Sequence, residues 1–440
     1  MNRFLLNRCA HWQRRLKDEL LHCQPVRELV ARLIAHPLQG PERMTRAYEL
    51  TTHCGLQRAI SMRLQQTGAF EDSDLWLQHA ATSPRYQAAY RHRPQLGRSI
   101  VLKAPSSGGE RGVLLMTFEY NWAKLMLATD AEQRRWLDDH YHLVLSTSWS
   151  PTDYSMLAMM LANTRNRLWV QACNLGERQA IEAFHPRLSA LLTMPCDWLD
   201  PDGFDPQPAG QRDIDLLMVA NWGDFKRHWE LFDLLNDLPK DWRVVLVGQS
   251  AQGRHRLWVQ RLAREYGVRQ PLEIHESLPV TEVASLQARS RVALILSRRE
   301  GCCVAAVEAM MAGAALAMRE DAHVGPLAYI NAQTGARLRI GHLAADLQDL
   351  HSSSAQKQPR EWCLKHANNQ RSIALLEQQL RDHDLALGLP WTQGLALPMW
   401  KPHPVFARAD QRQHLKPAYE ELCQRLPAAV DMRLWEQPAL

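Results

Sequence analysis

Apolar residues in the first 95 positions recur at helical spacing. Trp12, Leu16 and Leu20 stand four apart, and Val26, Leu29, Val30 and Leu33 fall at i, i+3, i+4 and i+7. Both patterns predict helices with one buried face. The run Pro37-Leu38-Gln39-Gly40-Pro41 interrupts them. No strand signal precedes Ser99-Ile100-Val101-Leu102, where the texture changes. Val113 to Phe118, Leu143 to Ser146 and Leu168 to Cys173 are short apolar runs, with helical stretches over 121–140 and 154–162 between them. Runs apolar throughout suit strands covered on both faces, as in a parallel sheet. Their alternation with helices predicts a doubly wound α/β layer.

An Asp- and Pro-rich linker, Pro195 to Pro206, separates this block from a second one. There Asp215 to Ala220, Arg243 to Gly248, Leu272 to His275, Val292 to Ser297 and Ala315 to Met318 form a five-strand set. Leu231, Leu234, Leu235 and Leu238 mark one intervening helix, and Arg256 to Tyr266 another. The tail reads as helical to Leu387, then irregular and proline-rich, with a last helix near Tyr419 to Leu426. The expected organisation is a helical region over 1–98, a first Rossmann-like domain over 99–204, a second over 205–360 and a helical tail over 361–440.

Composition narrows the class. A chain of 440 residues has room for two or three domains, and 46% hydrophobic residues exclude a mainly disordered chain. No run of about 18 uncharged apolar residues is present, so no transmembrane helix is predicted, and the short apolar run at the N-terminus is not expected to act as a secretory signal. A cytoplasmic protein is expected. Nine cysteines without a Cys-x-x-Cys pair suggest neither a disulfide framework nor a zinc ribbon. The formal net charge of +5 is unevenly placed: residues 1–95 hold 14 Lys and Arg against 8 Asp and Glu, leaving 38 against 39 elsewhere. The basic excess is therefore local. Its ordinary reading is a solvated helical surface; its functional one is contact with an anionic partner.

The sharpest chemical constellation runs from Ser297 to Met310. A strand enters a turn carrying Glu300, Gly301, Cys302 and Cys303, and a helix begins near Val304 with Glu308 in its early turns and Gly313 at its end. Open amides at a helix start attract phosphate, and carboxylates grip sugar or ribose hydroxyls. The alternative for Glu308 is a dipole-favoured acidic residue. Cys302 and Cys303 at a helix start are open to two readings, an activated thiol or close packing. A second constellation, Val219 to His228, follows the first strand of the second block and places Lys226 where it would neutralise a phosphate; a solvated first helical turn is the alternative. Asp72-Ser73-Asp74 and Asp200-Pro201-Asp202 are chance-level Asp-x-Asp matches, and His140 and His142 lack partner ligands for a metal. There is neither a Gly-x-Gly-x-x-Gly nor a Walker loop, which argues against a nicotinamide oxidoreductase and an ATPase.

At these two places the sequence resembles the retaining glycosyltransferases of family four, a bacterial subgroup of which is nearest. That family pattern of Gly-Arg, four residues, Lys is met by Ala220-Asn221, Trp222 to Phe225 and Lys226, with Asn221 in place of the Arg. Arg227 and Arg299 are candidates to replace that cation. The family's Glu, seven residues, Glu is met by Glu300 and Glu308; its Phe-Gly is Cys302-Cys303 here, and Asn174 stands where many members have a His. Gly248 and the linker 195–206 also fit. The resemblance is best over 190–340, fair over 110–190 and absent over 1–95.

The resemblance implies an α/β, GT-B-like fold: two Rossmann-like parallel-sheet domains, here with an N-terminal helical extension. It implies metal-independent, retaining transfer of a sugar from a nucleotide-diphosphate sugar to a glycan or lipid-linked acceptor, as in polysaccharide biosynthesis for the cell envelope. Lys226 would steady the departing diphosphate, with the amides near Gly301 to Val304. Glu300 would hold sugar hydroxyls and Glu308 ribose hydroxyls. Backbone at Glu276, Ser277 and Leu278 would hold the base. Asn221, Gly248, Cys302 and Cys303 complete the donor set, and Glu119, Tyr120, Trp149 and Asn174 are the acceptor-side candidates. No cofactor and no nucleic acid partner are expected. An anionic membrane contact through residues 1–95 would make the protein peripheral on the inner face of the membrane. A non-catalytic scaffold of a polysaccharide-assembly complex and a sugar-nucleotide epimerase are the alternatives.

Overall fold

The computed structural model describes residues 3–36, 39–86, 99–106, 108–401 and 403–427. The chain forms two compact units, Gln24–Trp198 with Asn369–Leu440, and Met1–Cys23 with Leu199–Asn368.

In the first of these, five strands lie side by side in chain order: β1 (Ser99–Lys103), β2 (Gly112–Thr117), β3 (Tyr141–Ser146), β4 (Leu168–Gln171) and β5 (Leu188–Ala190). β1 runs antiparallel to β2 and the others are parallel. Right-handed crossovers that always step the same way put every connecting helix on one face. Alternate strand residues divide accordingly. Leu114, Met116, Leu143, Leu145 and Val170 pack with the crossover helices, including Tyr154–Ala162 and Arg178–Phe184. Val113, Leu115, Val144 and Trp169 meet Leu376 and Leu380 of the helix Asn369–Ala386. This sheet is therefore not doubly wound, as the sequence pattern suggested; its second face is closed by the tail.

The tail does more than supply one helix. Within the stretch expected to be irregular, Pro398–Lys401 and His403–Phe406 form an antiparallel hairpin. The last helix, Ala409–Arg425, starts ten residues before the expected position. Ala396 N–H donates to Leu102 O at 2.7 Å, and Tyr419 Oη accepts from Val101 N–H at 2.9 Å. Both contacts satisfy backbone groups on the β1 edge. The helical stretch predicted over 121–140 is two helices, Glu119–Leu127 and Ala131–His140, separated where Asp130 caps the second by accepting from Gln133 N–H at 2.8 Å.

The second unit holds a six-stranded sheet of β6 (Ile214–Val219), β7 (Val244–Gly248), β8 (Leu272–Glu276), β9 (Ser290–Ile295), β10 (Ala315–Arg319) and β11 (Gly335–Leu338). Every neighbouring pair is parallel, and the spatial order is β11-β10-β9-β6-β7-β8. Counted within the unit this is 3-2-1-4-5-6, up to the direction of reading, so the winding reverses between β6 and β9. Ligands of such sheets bind at the carboxyl ends of the strands at that reversal. β11 lies outside the five-strand set read from sequence. Its first residue must be Gly335, because a Cβ there would lie 1.9 Å from Leu316 O. Both units are thus α/β with mainly parallel sheets, as the sequence led us to expect.

The helices expected as one N-terminal region are divided between the units. Pro41–Leu50 and Cys54–Gln66 join the first, where Tyr48 Oη donates to Ala180 O at 2.7 Å. Arg3–His22 belongs to the second. The sequence pattern identified the helices but assigned the wrong inward face. Trp12, Leu16 and Leu20 are 60%, 63% and 55% exposed, and Val26, Leu29, Val30 and Leu33 of the helix Gln24–Ile34 are exposed as well. In Arg3–His22 the polar side turns inward, for a reason that lies in the loops described next.

Replacing Leu380 with Ala removes a fully buried side chain from the face that the tail helix closes. A loss of about 2–5 kcal/mol in unfolding free energy is expected, measured by denaturant titration.

Candidate functional site

The loops that leave β6 and β9 meet at the reversal of the second sheet. β6 runs into Ala220, whose N–H donates to Val247 O at 2.8 Å, and Trp222 N–H donates to Gln249 O at 3.0 Å. The loop is thereby held flat against the end of β7. Gly248 is required there: a Cβ would sit 2.3 Å from Ala220 O and 2.7 Å from the Trp222 ring. Asn221 Oδ1 accepts from Gly223 N–H at 3.0 Å. A single helical turn, Asp224–Lys226, follows, and Arg227 takes a left-handed conformation with φ of 61°. On the other side, Cys303 adopts φ of 51° and opens the helix Val304–Met311.

This geometry joins two residues 74 positions apart. Lys226 Nζ makes a short ion pair with Glu300 Oε2. Burial works against the Lys226 charge, but the Glu300 carboxylate outweighs it and holds the ammonium pKa above its ordinary value. The second oxygen of Glu300, Oε1, is buried without a hydrogen-bond partner. A buried carboxylate oxygen left unsatisfied is costly.

A cavity of about 240 Å³ opens beside the pair. Lys226, Asn221 and the first residues of the helix, Val304 and Ala305, give it a polar end; Val219, Val247, Leu278 and Val283 give it an apolar wall. Of the donor set read from sequence, Asn221, Lys226, Gly248, Leu278, Cys303 and Val304 line this cavity, whereas Glu276, Ser277, Glu300, Gly301, Cys302 and Glu308 do not. Glu276 is held by Ser250 Oγ and by Arg256 N–H at 2.5 Å, which lower its pKa. Ser277 turns the chain with φ of 59°. Burial raises the Glu308 carboxyl pKa, with Gln287 partly offsetting it. Burial, then Glu300, pushes the Cys303 thiol well above its ordinary pKa. Of the two readings of this cysteine, close packing is the one that fits.

The cation missing at Asn221 was legible in the sequence; the anchoring of these loops was not. Arg227, one of two candidates to replace the cation, is only 2% exposed and is committed to Glu230 at 2.8 Å and to Asp18. Asp18 also pairs with Arg298 at 3.0 Å. One carboxylate on the N-terminal helix thus ties the β6 loop to the β9 loop, one residue beyond Lys226 and two before Glu300. His11 Nδ1 and Arg14 add contacts to Tyr266 Oη at 3.0 and 3.2 Å. This is why the helix turns its polar side inward. Arg254, on the loop after β7, pairs with Asp224 at 3.3 Å and is a cation that the family pattern did not flag.

In the first unit, Glu119 follows β2 at the start of its helix but is fully buried. It accepts from Ser148 N–H at 3.1 Å and from Ser148 Oγ. Burial raises its pKa, with Arg85 and Ser148 partly offsetting the rise. It is turned into the protein, not offered to a ligand as the sequence reading expected. Tyr120 and Trp149 are half-buried beside it, and Asn174 Oδ1 accepts from Gly176 N–H at 2.9 Å. The weak motifs resolve as structural. Asp72 and Asp200 cap turns by accepting from Leu75 and Asp202 N–H. His142 Nε2 pairs with Asp384 at 2.8 Å, and His140 bonds Trp136 O. Among the described residues no three His, Cys, Asp or Glu side chains form a metal-ligand cluster. A larger cavity, about 650 Å³, lies near Leu102 and His414, but its lysine, Lys103, is buried and paired with Glu110 at 2.7 Å.

Comparison with known proteins bears on the second unit. Residues 203–334, under a third of the chain, match the family model described as glycosyl transferases group 1. No curated protein sequence matches the chain. Solved structures with partial likeness include a sucrose-phosphate synthase from Thermosynechococcus elongatus, with TM-score 0.48 and 16% identity over 62% of this chain and 74% of that one. Anabaena Alr3699/HepE in complex with UDP and glucose has TM-score 0.45 and 14% identity over 62% and 78%. A mutant of S. aureus TarM in complex with Fondaparinux, alpha-GlcNAc-glycerol and UDP has 0.44 and 12% over 55% and 50%, so the chain spans half the length of that protein.

Two outcomes follow from this geometry. Asp18→Ala leaves Arg227 and Arg298 short of a partner and is expected to cost about 3 kcal/mol, read as a lowered melting temperature that Arg227→Met in the same chain partly restores. His228, beside Lys226, is buried and its pKa is pushed down to about 3 by burial, then by Lys226 and Arg254. Its folded form therefore binds fewer protons than the unfolded chain between the ordinary value of 6.5 and about 3. Stability present above pH 6.5 is lost as the pH falls through that window. Thermal melts of His228→Gln should show a shallower acid slope than the wild type.

Proposed function

We propose that this chain is a retaining glycosyltransferase that uses a nucleotide-diphosphate sugar and transfers the sugar to a glycan or lipid-linked acceptor. The observation that carries the reading is the Lys226–Glu300 pair at the winding reversal of the second sheet, beside a cavity with a cationic end and an apolar wall. The match of residues 203–334 to glycosyl transferases group 1 supports the same chemistry.

The residues supply the steps. The diphosphate competes with Glu300 for Lys226, and the open amides of the first turn at Val304 and Ala305 add partial positive charge. As the bond between the sugar and the diphosphate breaks, negative charge grows on the leaving phosphate oxygen, where a fixed ammonium in a partly dry site lowers the barrier. Glu300, released from Lys226, accepts hydrogen bonds from sugar hydroxyls. The wall formed by Val219, Val247, Leu278 and Val283 takes the nucleoside, and Glu308 its ribose. Retention follows if the acceptor attacks from the leaving-group face. Fixed cations and dipoles carry the charge, so the scheme needs no metal. Tyr120, Trp149 and Asn174 stand as acceptor-side residues, and the product belongs to polysaccharide biosynthesis for the cell envelope.

A second reading, a non-catalytic scaffold in a glycan-assembly complex, is favoured by one observation: Asn221 offers no cation, and Arg227 is fully committed elsewhere.

The test is binding and turnover with a panel of sugar nucleotides. Lys226→Ala should weaken nucleotide-diphosphate binding roughly 10- to 100-fold, while Glu300→Gln should lower kcat with nucleotide binding retained. The double variant Lys226→Met, Glu300→Gln removes both charges of the pair and reports whether the fold survives. A folded wild type that neither binds nor hydrolyses any member of the panel sinks the catalytic reading. Glycan assembly in cells unaffected by Glu300→Ala establishes the scaffold.

A further inference from the structure

The N-terminal helix Arg3–His22 sits with its faces reversed relative to an ordinary surface helix. Its polar side is the fixed one: Asp18 pairs with Arg227 and Arg298, Glu19 with Arg298 at 2.9 Å, and His11 and Arg14 bond to Tyr266. Its apolar side faces out. Trp12, Leu16 and Leu20, stacked four residues apart, are each more than half exposed. The helix cannot turn over to bury them without breaking those ion pairs, so the stripe is a standing feature of the surface. A contiguous exposed apolar stripe on a helix marks an interaction site.

The charges beside the stripe say what covers it. Arg15 and Lys17 flank Leu16 by one residue each, which places them about 100° to either side of it on the helix, and both are exposed. Long basic side chains in that position lay their methylenes along an apolar surface and carry the charge to its polar boundary. Of the two acidic residues of this segment, Asp18 faces the body, and Glu19, though exposed, is paired with Arg298. A second protein copy is a poorer fit, because three side chains on one convex helix fall well short of the ~800 Å² per partner in a stable interface.

We propose that the helix Arg3–His22 lies in the plane of an anionic lipid surface, with Trp12, Leu16 and Leu20 among the acyl chains and Arg15 and Lys17 at the headgroups. This is the binding mode of interfacial amphipathic helices, in which apolar burial and attraction to anionic lipid act together. Arg14, another basic residue of this helix, is taken up by Tyr266 and is not part of the contact. The inference goes beyond the proposed reaction and does not need it. It also gives the ion pairs of Asp18 a second consequence: the element that meets lipid is the one that holds the loops of Lys226 and Glu300.

The experiment is co-sedimentation of the full-length protein with vesicles of phosphatidylcholine alone and of phosphatidylcholine with phosphatidylglycerol, at low and high salt. No sugar nucleotide is present, so the result is independent of the activity. Binding to the anionic vesicles, weakened by salt and absent from the neutral ones, is expected. Leu16→Glu with Leu20→Glu should weaken it by about tenfold or more, and Arg15→Glu with Lys17→Glu by a comparable factor, at roughly fivefold or more per charge. Both pairs of sites are exposed, and unchanged melting temperatures confirm the fold. Absence of binding to anionic vesicles, or binding equal in the wild type and both variants, overturns the proposal. So does light scattering that shows a dimer made monomeric by Leu16→Glu and Leu20→Glu, which assigns the stripe to a second copy.

Discussion

The second unit depends on one electrostatic constraint: two loops on opposite sides of a winding reversal must be held together although each carries charge. Lys226 and Glu300 meet at that junction. Behind them, Arg227 and Arg298 would repel one another if nothing stood between. Asp18 stands there, supplied by a helix from the other end of the sequence. Burial of this many charges is tolerable only because each is paired. Glu300 Oε1 is the exception within the Lys226–Glu300 pair, since it has no partner.

The backbone conforms to that arrangement. Arg227 and Cys303 both accept left-handed conformations, with φ of 61° and 51°, that side chains rarely adopt. Each sits at the residue where its loop turns into a helix. The strain lies next to the ion pair and not within β6 or β9, which is how a rigid sheet presents groups at an angle that regular geometry does not provide. Gly248 serves the same end, since only a residue without Cβ lets the β6 loop lie against the end of β7.

Much of this was legible in the chain. The strand runs of the second sheet need no tertiary context: Leu216 to Met218, Val244 to Val247 and Val292 to Ile295 are apolar throughout because they are buried on both faces. That Lys226 and Glu300 follow strands of the second sheet was readable, because each comes directly after an apolar strand run in the sequence. Three things were not readable. The way the first sheet is covered depends on which face the tail takes, and Leu376 and Leu380 look like any helical apolar pair. β11 is four residues long with an Arg in it, too short for a period to show. Glu119 carries the same label as a ligand-facing carboxylate, and only the position of Ser148, 29 residues on, shows that it faces inward.

The N-terminal helix carries the most general physical lesson. Periodicity states that a helix has two unlike faces; it does not state which one meets the body. For an ordinary helix the apolar side goes in because the body offers apolar surface. Here the body offers Arg227, Arg298 and a tyrosine hydroxyl, and the lowest-energy partner for those is a face with Asp18, Glu19 and His11. Two guanidinium groups that gain further ion pairs where water is partly excluded are met by the polar face, at the expense of burying a few leucines. The residues that make the helix amphipathic are thereby the same ones that leave Trp12, Leu16 and Leu20 in solvent.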